Sequence, residues 1–384
     1  MRLIFIDQGL FELDQLSYAL LDPRLRKTMD IIIQRYEDFD VEVANKTIGY
    51  HFDEEIVEVR IAGLGEGVGL MSSIARGHLT LSSGEEKTVV IKCTARTENS
   101  ELSKGLNFYR NEVNFYQHLS DQCPIEVPRC LYACVDSVTQ DFLLVLDDLG
   151  NETAGDQLTG VSEGHLRAAF TRAGQLHGMF WGKTAEHEWL NYQLDMRTTL
   201  FRRDSILRPG IEPTIRNFGE HFSGNREEIV RKIGDQYADL FLKAMSGEQT
   251  IIHGDYRVDN SFLVMRNNEP DIISVDWQNT TGGNGTHDIA YFSAQSCNAD
   301  LRGEIELSCL KQYHETLCDM GVENYSFDQC VEHYRYNLLI LMITPIAICG
   351  TLDQGNERGA RVGAAGLQRT FEAIESLECE QLLA

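Results

Sequence analysis

The stretch from Ile251 to Gln278, I-I-H-G-D-Y-R-V-D-N-S-F-L-V-M-R-N-N-E-P-D-I-I-S-V-D-W-Q, holds the residues of this sequence best suited to chemistry. Asp255 stands five residues before Asn260. Two apolar runs follow, Phe262–Met265 and Ile272–Val275, separated by Arg266-Asn267-Asn268-Glu269-Pro270-Asp271, a turn composition. Two such runs joined by a turn predict a β-hairpin. A hairpin returns the chain to where it began, which brings Asn260 at its entry close to Asp276 at its exit. Both offer oxygen ligands, and Mg²⁺ typically takes one or two carboxylates together with substrate phosphates. Asp255, on the loop leading in, is then left to orient a hydroxyl and accept its proton, the arrangement used in phosphoryl transfer. The plainer alternative makes Asp255, Asp259 and Asn260 ordinary turn residues and Asp276 a strand-end residue.

Such a site needs elements to hold it and to deliver phosphates. Phe52–Ile61 reads as a strand. Gly63, Gly65, Gly67 and Gly69 follow at every second position, then a second strand-like run near Ile74–Leu81. Alternating glycines let a backbone come close to a ligand and offer it N–H groups, although a tight hairpin fits this stretch as well. Thr88–Lys92 is the next strand, with Val90 and Lys92 on one face. On the helix expected over Leu106–Gln122, Glu112 falls inside the stripe of Tyr109, Val113, Tyr116 and Leu119. A carboxylate on a buried face needs a partner, and Lys92 is the natural one. Otherwise Glu112 sits at the wet edge of the stripe and Lys92 snorkels from a strand end.

The combination H-G-D-x-x-x-x-N followed by D-W resembles the aminoglycoside phosphotransferase and choline-kinase superfamily, and within it the ecdysteroid-kinase-like and bacterial phosphotransferase branches. The resemblance runs from about Phe52 to Phe292. It implies an α+β, bilobal, protein-kinase-like fold with an antiparallel sheet in the first lobe and helices in the second. The lobes would be 1–146, with a helical extension over 1–50, and 151–384, joined by a hinge at 147–150. It implies ATP and Mg²⁺ as cofactors and a small-molecule hydroxyl as acceptor. Asp255 would be catalytic, and Asn260 and Asp276 would hold the metal. Gly65, Gly67, Gly69, Val90, Lys92, Glu112, Asp147 and Leu149 would serve the nucleotide. Asp288, in G-T-H-D-I-A, would brace the catalytic loop from a helix N-terminus. Gly254 stands where protein kinases carry the arginine of H-R-D, and no activation segment fits between Asp276 and Asp288. Both departures favour a small molecule over a protein acceptor. A nucleotide-binding pseudokinase with a regulatory role is the alternative.

The rest of the chain bounds this reading. Its 384 residues suit two lobes. A net charge of −25 repels phosphate backbones, so nucleic acid is not an expected partner. Ten cysteines are scattered without a C-x-x-C, as in a reduced cytoplasmic protein. The first residues do not read as a signal peptide. No membrane span is expected, because the apolar run Leu338–Cys349 is short and contains Pro345, which predicts a buried helix interrupted or kinked at the proline. Leu10 to Leu21 and Met29 to Tyr36 carry helical periodicity. Glu163–Trp181 reads as an amphipathic helix with His177 as a satisfied core residue. Arg197, Arg202, Arg203, Arg208 and Arg216 read as a solvated helix face, or as a cap receiving an anionic acceptor. The helices expected after residue 301 carry stripes such as Leu307, Leu310, Tyr313 and Leu317. Nothing in the sequence sets the oligomeric state.

Overall fold

The structure, a computed structural model, describes residues 30–64, 71–187, 189–190, 196–351 and 357–384. Its contacts fall into two compact units. One runs to Val113 and resumes at Arg129–Asp148, and the other comprises Asn114–Pro128 and Leu149–Ala384.

The first unit opens on helix α1 (Val41–Thr47), started by the Asp40 side chain accepting from the Val43 amide at 2.9 Å. Five strands follow: β1 (Ile56–Gly63), β2 (Ser72–Leu81), β3 (Glu86–Thr94), β4 (Cys130–Val135) and β5 (Phe142–Asp147). They form one antiparallel sheet in the order β1-β2-β3-β5-β4. Alternation gives the sheet two different faces. Leu79, Leu81, Val89, Ile91, Cys93, Leu143 and Val145 point into a core completed by Ile33, Phe39, Ala44 and Ile48. The opposite face carries Ile74 and Arg76 on β2, Val90 and Lys92 on β3, and Leu144 and Leu146 on β5. Cross-strand pairs fix their places: Arg76 opposite Val90 opposite Leu146, and Ile74 opposite Lys92 opposite Leu144.

Two expectations here are corrected. Residues 30–35 are not helical, and Tyr36–Asp38 is a single 3₁₀ turn. Ile31–Ile33 is a β-branched run, a poor helix former. It is held instead by the Tyr132 hydroxyl, which accepts from the Ile31 amide at 2.7 Å, while Ile33 is buried in the sheet core. A separate helix that was not expected, α2 (Glu98–Gly105), comes first, and the helix expected over Leu106–Gln122 is shorter: helix α3 spans Phe108–His118 and a 3₁₀ turn follows at Ser120–Gln122. Asn107, with φ of 58°, divides them, a left-handed conformation that asparagine tolerates. The leucine-rich segment before residue 30 and the glycines at 65, 67 and 69 lie outside the described residues.

The second unit is mostly helical. Its small strands are β6 (Thr153–Ala154), β7 (Thr250–Ile252), β8 (Ser261–Arg266), β9 (Glu269–Ser274) and β10 (Thr281–Gly283). β8 and β9 form the expected hairpin. Its loop is Asn267-Asn268, with φ of 54° and 65°, the positive values that a type I′ turn requires. Helix α4 (Glu163–Met179) carries His177. Met196–Phe201 (α5), a π-helical stretch Arg202–Leu207, Arg208–Asn217 (α6) and Arg226–Ala244 (α7) follow. After β10 come α8 (Thr286–Ser296), α9 (Ala299–Asp319), α10 (Phe327–Ile340), α11 (Ile343–Thr351) and α12 (Glu357–Ser376). The apolar run at Leu338–Cys349 is interrupted as expected, but the break falls at Leu341-Met342 and not at the proline. Pro345 sits in the first turn of α11, where its missing N–H costs no helical bond. Leu307 is exposed, and Ile305, Cys309, Leu310, Tyr313 and Leu317 form the buried side of α9. Among the described residues no helix is long and apolar enough to cross a membrane. All ten cysteines are free thiols.

Candidate active site

Buried β7 delivers the chain to His253-Gly254-Asp255. Gly254 adopts φ of 80°, and a Cβ there would lie 2.4 Å from the Asn279 carbonyl oxygen. Glycine is therefore required by both conformation and space. The Asp288 carboxylate accepts from the His253 amide at 2.7 Å and from the Gly254 amide at 2.9 Å. His177 Nε2 lies 3.3 Å from the same carboxylate, with its Nδ1 3.0 Å from the Tyr313 hydroxyl. His177 is thus fully buried and satisfied, and Asp288 braces the loop backbone. Burial pushes the Asp288 carboxyl up, but the His177 bond and the nearby histidines more than offset it and hold it below the usual carboxylate range.

Asp255 is held on both oxygens. Asn260 Nδ2 donates to its Oδ2 at 2.9 Å and to its backbone carbonyl at 2.9 Å. Arg257 Nε donates to its Oδ1 at 3.1 Å. The charge of Asp255 first, then the smaller contributions of Tyr291, Asp259 and Asp276, outweigh burial and push the Arg257 guanidinium above its already high range. The buried Tyr291 phenol is pushed up by desolvation first and by the adjacent Asp255 next.

The hairpin does what the spacing predicts. Ser261 pairs with Ser274, and the Val275 amide donates to the Asn260 carbonyl at 2.9 Å, so Asn260 and Asp276 lie at the two ends of one closure. Asp276 itself is left-handed, with φ of 66°, and its Oδ2 accepts from Gln278 Nε2 at 3.2 Å. Next to it, fully buried Trp277 stacks on Phe115 at 3.9 Å between ring centres. His253 Nε2 reaches the Val275 carbonyl at 3.0 Å and ties the loop to the hairpin exit. With Asn260 Nδ2 committed to Asp255, its Oδ1 accepts no hydrogen bond among the described residues. That oxygen and the Asp276 carboxylate are hard-oxygen groups of the kind Mg²⁺ takes, with the rest of an octahedral shell left to phosphate and water. No larger group of metal-ligating His, Cys, Asp or Glu occurs among the described residues.

Asp288 braces the loop as the resemblance implied; the rest of the loop's support was missed in the sequence. Asp288, Tyr291 and Gln295 recur at intervals of three and four on α8 and so share one side of it. Asp288 meets residues 253 and 254, Tyr291 meets Asp255, and the Ser296 hydroxyl accepts from the Val258 amide at 2.9 Å. Gln157 was also missed. Its amide donates to Asp259 at 2.6 Å, its carbonyl accepts from Arg369 at 2.6 Å, its Oε1 accepts from Arg257 at 3.0 Å and its Nε2 donates to Gln295 at 2.9 Å. Every polar group of this buried residue is used, and Gln295 continues the chain to Thr370 on α12. A polar α8 stripe at helical spacing was the available signal; Gln157 left none.

In the first unit, Lys92 Nζ sits 2.7 and 2.8 Å from the two Glu112 oxygens. The residues are 5% and 1% exposed, so the pair is buried. Val90 lies two residues back on the same sheet face. Both side-chain oxygens of Asp147 accept from Arg129, from Nε at 2.9 Å and from a terminal nitrogen at 3.2 Å, and its amide donates to the Arg129 carbonyl. The Leu149 carbonyl accepts from the Glu152 amide. In the arginine-rich segment, Arg203 pairs with Asp204, and Arg208 with Asp204 and Asp235.

The ecdysteroid kinase-like family model matches residues 66–323, more than half the chain, and the chain belongs to that family. Its kinase-like fold accords with the antiparallel sheet of the first unit and the helices of the second. The uncharacterized oxidoreductase dhs-27 of Caenorhabditis elegans is 19% identical over 309 residues. The match takes in 71% of this chain and only 37% of that longer protein. Among solved structures, the GDP and kanamycin complex of APH(2")-IIia superposes with a TM-score of 0.49 at 13% identity, over 85% of this chain and 97% of that one. The microcompartment-associated aminopropanol kinase gives 0.39 at 12%, over 86% and 95%.

Proposed function

We propose that this family member transfers the terminal phosphoryl group of ATP to a hydroxyl of a small molecule. The observation carrying the reading is the Asp255–Asn260 arrangement. One amide group of Asn260 fixes the carboxylate that must receive a proton and leaves the amide oxygen for a cation. Asp255 orients the acceptor hydroxyl and takes its proton as the oxygen attacks phosphorus. Asn260 and Asp276 hold Mg²⁺, which when bound neutralises charge on the phosphates. Lys92, steadied by Glu112, takes the phosphates. Gly65, Gly67 and Gly69 supply backbone N–H groups, and Val90 and the backbone at Asp147 and Leu149 serve the base. Little covalent chemistry falls to the protein; position and charge do the work.

The test is Mg·ATP binding by calorimetry. The wild type should bind, and Asp276→Ala should weaken binding at least tenfold in Mg²⁺ while leaving the metal-free nucleotide affinity close to unchanged. Wild-type protein that fails to bind Mg·ATP, or an Asp276→Ala variant that binds it as tightly, would end this assignment.

A further inference from the structure

On the sheet face that presents Lys92 there is a second, fixed cation. Arg76 lies directly across from Val90, and Ile74, two residues back, lies across from Lys92. Directly opposite residues on neighbouring strands hold their Cβ atoms about 5 Å apart. Arg76 is therefore the immediate neighbour of the position expected to roof the nucleobase, one step further along the sheet than the phosphate-binding lysine.

Its conformation is locked. Nε donates to Asp148 Oδ2 at 2.7 Å and a terminal nitrogen donates to Oδ1 at 3.2 Å, a two-pronged fork. The Asp148 side chain is 5% exposed, and that of Arg76 is 34% exposed. The fork occupies one edge of the guanidinium. A third of the side chain stays exposed, and its remaining terminal nitrogen makes no hydrogen bond among the described residues. At the end of β5 the side chains of both acidic residues are taken, Asp147 by Arg129 and Asp148 by Arg76. Each oxygen of the two carboxylates already accepts from an arginine, and the side chain held rigid beside Val90 is a flat cation. Guanidinium planes stack on aromatic rings, and a pre-ordered plane loses little entropy in doing so.

We infer that Arg76, held by Asp148, stacks on the purine of the bound nucleotide and makes the nucleoside-dependent part of its affinity. The inference rests on the nucleotide reading above and assigns a contact to a residue outside the predicted site. Arg76 acts on the base and Lys92 on the phosphates, so the two contributions are separable with a ligand that has no base.

The experiment is calorimetry on the full chain with Mg·ATP and with Mg·tripolyphosphate. Arg76→Ala leaves the Asp148 carboxylate unpaired, so the double variant Arg76→Met with Asp148→Asn is run beside it to keep the fold intact. Both should lose on the order of tenfold in Mg·ATP affinity and less than about twofold in tripolyphosphate affinity. Asp148→Asn alone, which frees the guanidinium, should fall between. Equal losses for the two ligands would make Arg76 a phosphate contact or a structural tie, and unchanged ATP affinity would make it neither; each overturns the inference. A wild-type protein that binds tripolyphosphate but gains nothing from the nucleoside would overturn it as well. One that binds neither would remove the nucleotide reading beneath it.

Discussion

Replacing Asp288 by asparagine changes one heavy atom and tests what fixes the loop at His253–Asp255. The carboxylate accepts from two buried amides, at 2.7 and 2.9 Å, and also meets His177. A carboxamide offers one acceptor and one donor, so one of the two loop amides would face an N–H instead of an oxygen. A buried donor left without a partner costs about 1–3 kcal/mol. Removing the buried negative charge recovers part of this, and the net destabilisation should be about 2 kcal/mol. For a unit of this size each kilocalorie lowers the midpoint by about 2–4 °C, which predicts a fall of about 4–8 °C. Alanine, which removes both acceptors, should cost more. Trp181, Trp189 and Trp277 all lie in the second unit, so tryptophan fluorescence during thermal unfolding reads the relevant transition. A midpoint for Asp288→Asn within about 1 °C of wild type would refute the claim that this carboxylate carries the loop.

Other perturbations follow from the same geometry. Glu112→Gln leaves the buried Lys92 ammonium facing a neutral amide, so it should destabilise the protein by about 3 kcal/mol and weaken Mg·ATP binding; chemical unfolding and calorimetry read the two effects. Asp271, against Arg172, and Asp288 are both held below the usual carboxyl value: burial raises each, and the hydrogen bond from Arg172 or His177 outweighs it. Their contribution to stability is therefore complete above a pH of about 4 and is lost as the pH falls through their folded values, and Asp288→Asn should flatten that acid limb of a pH–stability profile. Gln157→Leu removes the side-chain bonds to Arg257 and Gln295. It should lower kcat by about tenfold or more with little change in nucleotide affinity, a split that initial-rate kinetics resolves.

The parts of this molecule that were readable in advance are those where local chemistry decides. The hairpin was legible because Asn267-Asn268 suits a left-handed two-residue turn and the flanking runs are strand-like. Glu112 was legible because a carboxylate in an apolar stripe demands a partner, and Lys92 is there. Helix α2 was not, because Glu98–Gly105 is a polar segment whose single leucine makes no apolar stripe. The stretch before Tyr36 was misread because the same isoleucines that look like a helical stripe are bound by a tyrosine about a hundred residues away in the chain. Gln157 was invisible for a related reason. Its partners are at 257, 259, 295 and 369, and no local pattern marks a residue that gains its importance from four distant ones. The fork between Arg76 and Asp148 likewise joins positions 72 residues apart.

The central claim is that Asp255 serves transfer of a phosphoryl group to a hydroxyl. Consumption of ATP with Mg²⁺ against a pooled library of hydroxyl compounds, with Asp255→Ala in parallel, tests it most directly. The account predicts an acceptor-dependent signal in the wild type that falls by a factor on the order of 10² or more in the variant, while Mg·ATP affinity stays close to wild type. Turnover that survives Asp255→Ala at near wild-type rate would contradict it.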